Sequence, residues 1–296
     1  MKERISKRIV LLSMVAIMMM LLVGCSLFYN EYDFVRYKAP NWTDDGKIVF
    51  VKDYRHVRDK KTITGLIGDV SGSWETYILC EMERDGSNYT EICTLAVCKE
   101  SAYLLRIDNT SSSGEWVTIG MRGGYGMEKG VYVVKRDGSG LQKVGEGTYP
   151  DFSPNADKIV YQKENEGIWI MNRDGSDDHQ IVEKGTQPAW SPEGSKLIYR
   201  IQELIIADTN GNVIDSIGNT RWGADWGPIN SDSIIVCDYS IDKGIIIDLG
   251  SRREDTLSFY SGAGFKWSPD GNYFIAYDGS WFVINIDGTN KHYIEP

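Results

Sequence analysis

The chain has 296 residues, with 32 Lys and Arg against 42 Asp and Glu for a formal charge of −10, and only three histidines and five cysteines. That balance disfavours nucleic acid and anionic lipid as direct partners of the average surface, because both would repel it. The sparse Cys and His form no closely spaced pairs of zinc-ligand type, so no metal and no other cofactor is expected.

Taken in chain order, Lys2, Arg4, Lys7 and Arg8 make a basic start. Residues 9–23 are then an apolar run of 15 residues, short for a bilayer span and suited to a signal-peptide core. The run ends in Leu22-Val23-Gly24-Cys25. This resembles the lipobox of bacterial lipoproteins. The resemblance implies that residues 1–24 are a removed signal peptide and that Cys25 becomes the lipidated first residue, its acyl chains (palmitate among them) holding the protein on a membrane. An ordinary secretory signal and an uncleaved anchor helix are the alternatives. Removing four basic groups and one acidic group takes the formal charge to −13. Residues 25–38 read as a tether and 39–296 as the folded body. The implied location is the bacterial cell envelope: the periplasmic face of an outer membrane, which Ser26 after Cys25 favours where there are two membranes, or otherwise the outer face of the plasma membrane.

From residue 39 onward one cassette recurs: an aromatic residue, Ser-Pro, an acidic-Gly turn, two apolar strands and Asp-Gly. It reads Trp190-Ser191-Pro192-Glu193-Gly194 and Trp267-Ser268-Pro269-Asp270-Gly271, with looser copies at Trp42, Phe152 and Trp226. Its second half gives Arg-Asp-Gly-Ser starting at Arg84, Arg136 and Arg173, then Asn210-Gly211 and Asp287-Gly288. Gly86, Gly138, Gly175, Gly211 and Gly288 follow one another after 52, 37, 36 and 77 residues, the last interval being two repeats. Asp-Gly supplies the positive dihedrals of a tight hairpin, and runs such as residues 158–161, 168–171 and 281–284 are alternating, β-branched or aromatic, with no proline inside. Small antiparallel sheets repeated in this way bury both faces by radial stacking. The fold class is therefore all-β, a six-bladed propeller of four-stranded blades. The blades start near residues 39, 94, 149, 187, 222 and 263, and the ring closes by packing of blade six on blade one. A rival reading takes residues 32–38 as the outer strand of the last blade.

The cassette is similar to the repeat of the TolB-like propellers, with its best copies at residues 187–199 and 266–290. The resemblance implies the propeller fold over 39–296. It does not carry an activity, because this fold hosts unrelated ones. The Tol-Pal member has a further N-terminal domain and no lipid anchor. The prolyl-oligopeptidase relatives carry a hydrolase domain with a Gly-x-Ser-x-Gly elbow, and this sequence has no such elbow. The Ser-x-Asp-x-Gly-x-x-Trp box of sialidase propellers is absent as well.

Two groups of residues are candidates for function. Asn41, Asp151, Asp225 and Lys266 stand just before the repeat aromatics, at the start of the innermost strands. They form either a polar ring at the axis or merely satisfied strand ends. The repeat aromatics themselves read as inter-blade core. Symmetry breaks in blades one and two. Residues 53–75 look like a loop insertion after the second strand, carrying a basic run over 52–61 with Arg55, His56 and Arg58, and then Trp74. Blade two adds Gly123-Gly124-Tyr125-Gly126. These loops should neighbour each other and offer an interaction patch that includes Tyr125, unless they are tolerated surface insertions. His56, His179 and His292 fall in a blade-one loop, a blade-three hairpin and the final strand, too scattered for a metal or acid-base site. Cys80 and Cys93 lie across a hairpin, as a disulfide or as buried free thiols. The sequence thus reads as a non-enzymatic binding or scaffolding module whose partner is another envelope protein. A glycan or peptidoglycan fragment is the second ligand class, and a carbohydrate-active hydrolase or lyase is the third reading.

Overall fold

The computed structural model describes residues 29–60, 74–99, 107–122, 128–218, 221–228, 232–238, 240–241, 243–258 and 265–294. Expectations for Cys25 and Tyr125 lie outside these residues. The described elements are all strands. Blade one is β1 Tyr29–Trp42, β2 Ile48–Lys60, β3 Trp74–Met82 and β4 Thr90–Lys99; blade two is β5 Ile107–Ser113, β6 Trp116–Met121, β7 Gly130–Lys135 and β8 Gln142–Gly145. Blade three is β9 Thr148–Phe152, β10 Lys158–Lys163, β11 Gly167–Asn172 and β12 His179–Val182; blade four is β13 Thr186–Trp190, β14 Lys196–Arg200, β15 Leu204–Asp208 and β16 Val213–Ile217. Blade five is β17 Arg221–Trp226, β18 Ser233–Asp238, β19 Lys243–Asp248 and β20 Glu254–Thr256; blade six is β21 Phe265–Trp267, β22 Tyr273–Tyr277, β23 Trp281–Asn285 and β24 His292–Tyr293. Each sheet is antiparallel with its strands in chain order.

A four-stranded sheet with two apolar faces must bury both, and each face here finds a neighbouring blade. The buried side chains form one cluster per interface. Val49, Val51 and Leu79 of blade one meet Val117 and Ile119 of blade two, and Val131 and Val133 meet Phe152 and Ile159. Val160 and Ile168 meet Trp190 and Leu197, Ile198 and Leu204 meet Trp226 and Ile234, and Ile235 and Cys237 meet Phe265 and Phe274. The last cluster joins Ile275, Val283 and Ile294 of blade six to Trp42, Ile48 and Phe50 of blade one. Ring closure is thus by packing. The indole Nε1 of Trp42 donates to the Lys266 carbonyl at 3.0 Å, and His292 Nε2 lies 2.5 Å from the Arg84 carbonyl. The rival closure fails because residues 29–38 pair with β2 inside blade one.

The sequence cassette has a physical meaning at each position. The hydroxyls of Ser153, Ser191 and Ser268 are buried and accept the amide five residues on, from Lys158, Lys196 and Tyr273, each at 2.9 Å. Ser153 and Ser268 also donate to Asn155 and Asp270 in the turn. The Asp-Gly turns are fixed by carboxylates that accept the amide two residues on, as in Asp137 with Ser139 and Asp174 with Ser176, both at 2.9 Å. The glycine follows from close approach as well as from its positive φ. A Cβ on Gly138 would stand 2.9 Å from the Ile92 carbonyl of blade one, and one on Gly175 would stand 2.5 Å from the Val144 carbonyl of blade two.

Three expectations are corrected. Blade two begins at Ile107, and residues 90–99 are the outer strand of blade one; the signal was lost because Ser111-Ser112-Ser113 replaces the aromatic cassette. The strand β1 runs from Tyr29 to Trp42, so it takes up most of the stretch expected to be a tether. The supposed insertion after residue 53 is strand up to Lys60 and again from Trp74, so His56 lies on a strand and not in a loop. Its polar groups find partners across the sheet, since Lys38 pairs with Asp53 at 2.7 Å and Arg55 with Glu75 at 3.3 Å, and the His56 ring lies in hydrogen-bond reach of Asp33 at 2.7 Å. The open choice between a disulfide and free thiols is decided by register: Cys93 lies opposite Leu79, while Cys80 lies opposite Glu91. That one-residue offset sends the two thiols to opposite faces of the sheet, and both are free.

Candidate ligand-binding mouth

The innermost strands all begin on one face of the ring, and there they surround a cavity of about 680 Å³. Its floor and sides come from Tyr149, Asp151, Gln187, Ala189, Phe265 and Lys266, and its rim from Tyr277, Ser280 and Trp281 of blade six and Arg36 and Lys38 of blade one. A repeated backbone device aims these side chains. Ala39, Tyr149, Gln187 and Gly223 occupy the left-handed region, with φ of 48°, 51°, 54° and 59°. In each case the register of the innermost strand slips at that point. The result is a bulge just before the repeat aromatic, and bulges bend a strand and redirect its side chains. Three of the four precede proline, at Pro40, Pro150 and Pro188. Sequence reasoning missed Tyr149, Gln187, Tyr277 and Trp281; the Xaa-Pro pair before the aromatic was the signal that could have found the first two.

Of the expected axial residues, the structure brings Asp151, Asp225 and Lys266 together. Lys266 Nζ lies 3.6 Å from Asp225 Oδ1, and Asp151 shares the cavity wall with Lys266. Burial works against the ammonium of Lys266, but the carboxylates of Asp225 and Asp151 outweigh it and hold its pKa above the ordinary lysine value. Burial pushes the Asp151 carboxyl above its usual range, against the pull of Lys266, the Ser111 hydroxyl and the Trp190 amide. Both aspartates also serve the next blade. Asp151 Oδ2 accepts the Trp190 amide and Asp225 Oδ2 accepts the Trp267 amide, each at 2.7 Å. Ser111 does the same for Phe152 at 3.1 Å. Where the position holds Ala189 or Lys266, which offer no side-chain acceptor, its carbonyl takes the next indole instead: that of Trp226 at 3.3 Å and that of Trp42 at 3.0 Å. Asn41 accepts the amide of its own neighbour Trp42 at 2.8 Å and does not line the cavity.

Blade one makes the mouth lopsided. Its β1 and β2 are 14 and 13 residues long, against five or six for the inner strands of blades three and four. The excess rises from the mouth face as a wall. Arg36, Tyr37 and Lys38 of the wall border the cavity. Arg55, His56 and Trp74 stand on the wall, the His56 ring stacked on Trp74 at 4.2 Å between centroids; Arg58 is on the same strand. Across the mouth Tyr277 and Trp281 pack at 5.1 Å, and the Arg122 guanidinium donates to the Tyr149 hydroxyl at 2.8 Å. The arrangement offers aromatic faces with a few charged groups in a concave site, the usual make-up of a small-ligand or peptide pocket. His179 and His292 lie on outer strands away from it, and the described residues hold no cluster of His, Cys, Asp or Glu fit for a metal.

No protein-family model matches the chain, and no curated protein is detectably similar to it in sequence. Likeness appears among solved structures. An oligogalacturonate lyase in complex with manganese superposes with a TM-score of 0.50 at 9% identity, over 83% of this chain and 86% of its own. A chain of the mitotic checkpoint complex gives 0.50 at 10% identity, over 83% and 87%. An oligogalacturonate lyase from Vibrio parahaemolyticus gives 0.48 at 10% identity, over 84% and 93%. At such identities the likeness is one of fold, and it is shared by proteins of unlike roles: the chain is a six-bladed β-propeller.

Proposed function

We propose that the protein is a lipid-anchored binding module of the bacterial cell envelope, related to the TolB-like propellers, whose ligand docks in the mouth beside the blade-one wall. The observation that carries this reading is the asymmetry of the ring: one blade of six is lengthened, and it is lengthened where the cavity opens. Asymmetric elaboration on a symmetric scaffold is where propellers and other repeat folds place their binding surfaces. Another envelope protein is the partner class. Asp151 and Asp225 each use one carboxylate oxygen to hold the next blade through the amides of Trp190 and Trp267, which gives both groups a structural role.

The Tyr277–Trp281 pair at the rim favours one further reading, a glycan or peptidoglycan fragment stacked on those rings. Affinity capture from envelope extracts, with the mature domain and a Trp281→Ala, Arg36→Glu companion as baits, tests both. A protein held by the first bait and lost by the second supports the protein-binding reading. Retention of soluble muropeptides alone moves the assignment to glycan. Equal recovery by both baits removes the mouth as the site.

A further inference from the structure

The wall of blade one projects beyond the ring on a single face. Residues 29–38 of β1 pair without interruption with residues 51–60 of β2, and ten residues at about 3.3 Å each make a sheet about 33 Å tall. Its upper rows run straight across the blade: Val35, Tyr54, Thr76 and Val97, then Asp33, His56, Trp74 and Lys99. Large apolar groups are exposed on these rows and the one between them, with Phe34 at 46%, Val35 at 44%, Trp74 at 41% and Val97 at 52%. The opposite face of the ring is formed by tight turns. It carries the Asp-Gly turns, where Asp85, Asp137, Asp174 and Asp287 are exposed. Hydrogen bonds from Ser87, Ser139, Ser176 and Thr289 hold all four below the usual aspartate pKa, so they are ionised.

Cys25 precedes Tyr29 by four residues, a link of at most about 14 Å. We infer that the tip of blade one rests on a bilayer, so that the channel mouth faces the membrane and the aspartate turns face away; this rests on the lipid-anchored reading above. A lipid chain alone would leave the domain free to tumble on its leash. A link this short, joined directly to a rigid wall, does not. The exposed rings of Phe34 and Trp74 on the wall suit the headgroup region. The ligand of the mouth is accordingly met at the membrane surface.

The test uses the full chain, matured with its anchor in bacterial cells and reconstituted into phosphatidylethanolamine vesicles with phosphatidylglycerol. A fluorophore is placed at Ser280 on the mouth rim or at Glu193 on the opposite face, and quenching by headgroup-labelled lipid is compared. Several-fold stronger quenching at Ser280 is expected, falling towards equality in a Phe34→Asp, Trp74→Asp variant whose unfolding temperature shows it folded. Equal or reversed quenching in protein that floats with the vesicles overturns the orientation and leaves the anchor standing. Protein that fails to float overturns the anchor, and the orientation with it.

Discussion

The indole of Trp42 in blade one donates to the carbonyl of Lys266 in blade six, joining residues 224 positions apart in the chain. This bond and the cluster around it are the seam of the ring. Trp42→Phe removes the hydrogen bond and little volume, and should cost about 1 kcal/mol. Trp42→Ala also opens a cavity between Ile48 and Ile275 and should cost about 3–5 kcal/mol. Urea unfolding monitored by far-ultraviolet circular dichroism separates the two.

Lys266 and its aspartates should respond as a linked unit. Asp225→Ala leaves the Trp267 amide without its acceptor and the Lys266 ammonium with a weaker counter-charge, and should cost about 2–3 kcal/mol. Asp225→Asn keeps an acceptor for the amide and should cost less than half of that. Adding Lys266→Met to Asp225→Ala should recover part of the loss, because no half-buried cation then remains. A double variant as unstable as the sum of the singles would show that the charges do not interact.

The aspartate turns set the behaviour in acid. In Asp85, Asp137, Asp174 and Asp287 the hydroxyl and amide of the residue two ahead favour the carboxylate and hold its pKa below the ordinary 3.8. The folded state therefore binds these protons less readily than the unfolded chain. The stability they provide is complete above the ordinary aspartate pKa and is lost as the pH falls through the lowered folded values. Urea midpoints measured from neutral pH downwards should be flat and then drop below about pH 4. Replacing all four by Asn, which keeps the turn bonds and removes the titration, should shallow that drop.

Two glycines of similar conformation should differ sharply. Gly140 has φ +70° with open space around it, so Gly140→Ala should cost only about 1 kcal/mol of backbone strain. Gly175 has φ +86° and faces the Val144 carbonyl, so Gly175→Ala must also push β8 away and should cost about 3 kcal/mol or more. Thermal unfolding of both variants checks the ranking.

The blades were legible because their signals are local. Asp-Gly fixes a hairpin within four residues, and an aromatic-Ser-Pro cassette fixes a strand end and a buried hydroxyl, so the copies at Trp190 and Trp267 sufficed to set the period. Blade two was misplaced because Ser111 keeps the acceptor role of Asp151 without any aromatic beside it. The wall was misread as a loop because a basic run looks solvated until its partners are known, and Glu75 and Asp33 lie far from Arg55 and His56 in sequence. Asp151 and Lys266 could be placed near the axis from register alone. Tyr149 and Gln187 could not, since their aim depends on a bulge that strand periodicity does not encode.

Among the described residues each blade is built from consecutive strands, and no strand crosses from blade six to complete blade one. Folding can then proceed by adding neighbour to neighbour, with the seam as the last contact made and the first released. Opening it would part Trp42 from Lys266 at the base of the mouth. A ligand held between Arg36 on one side and Trp281 on the other would span that break, fastening the ring as a clasp fastens a bracelet. Occupancy of the mouth would be felt through the whole circle as slower opening and higher resistance to unfolding.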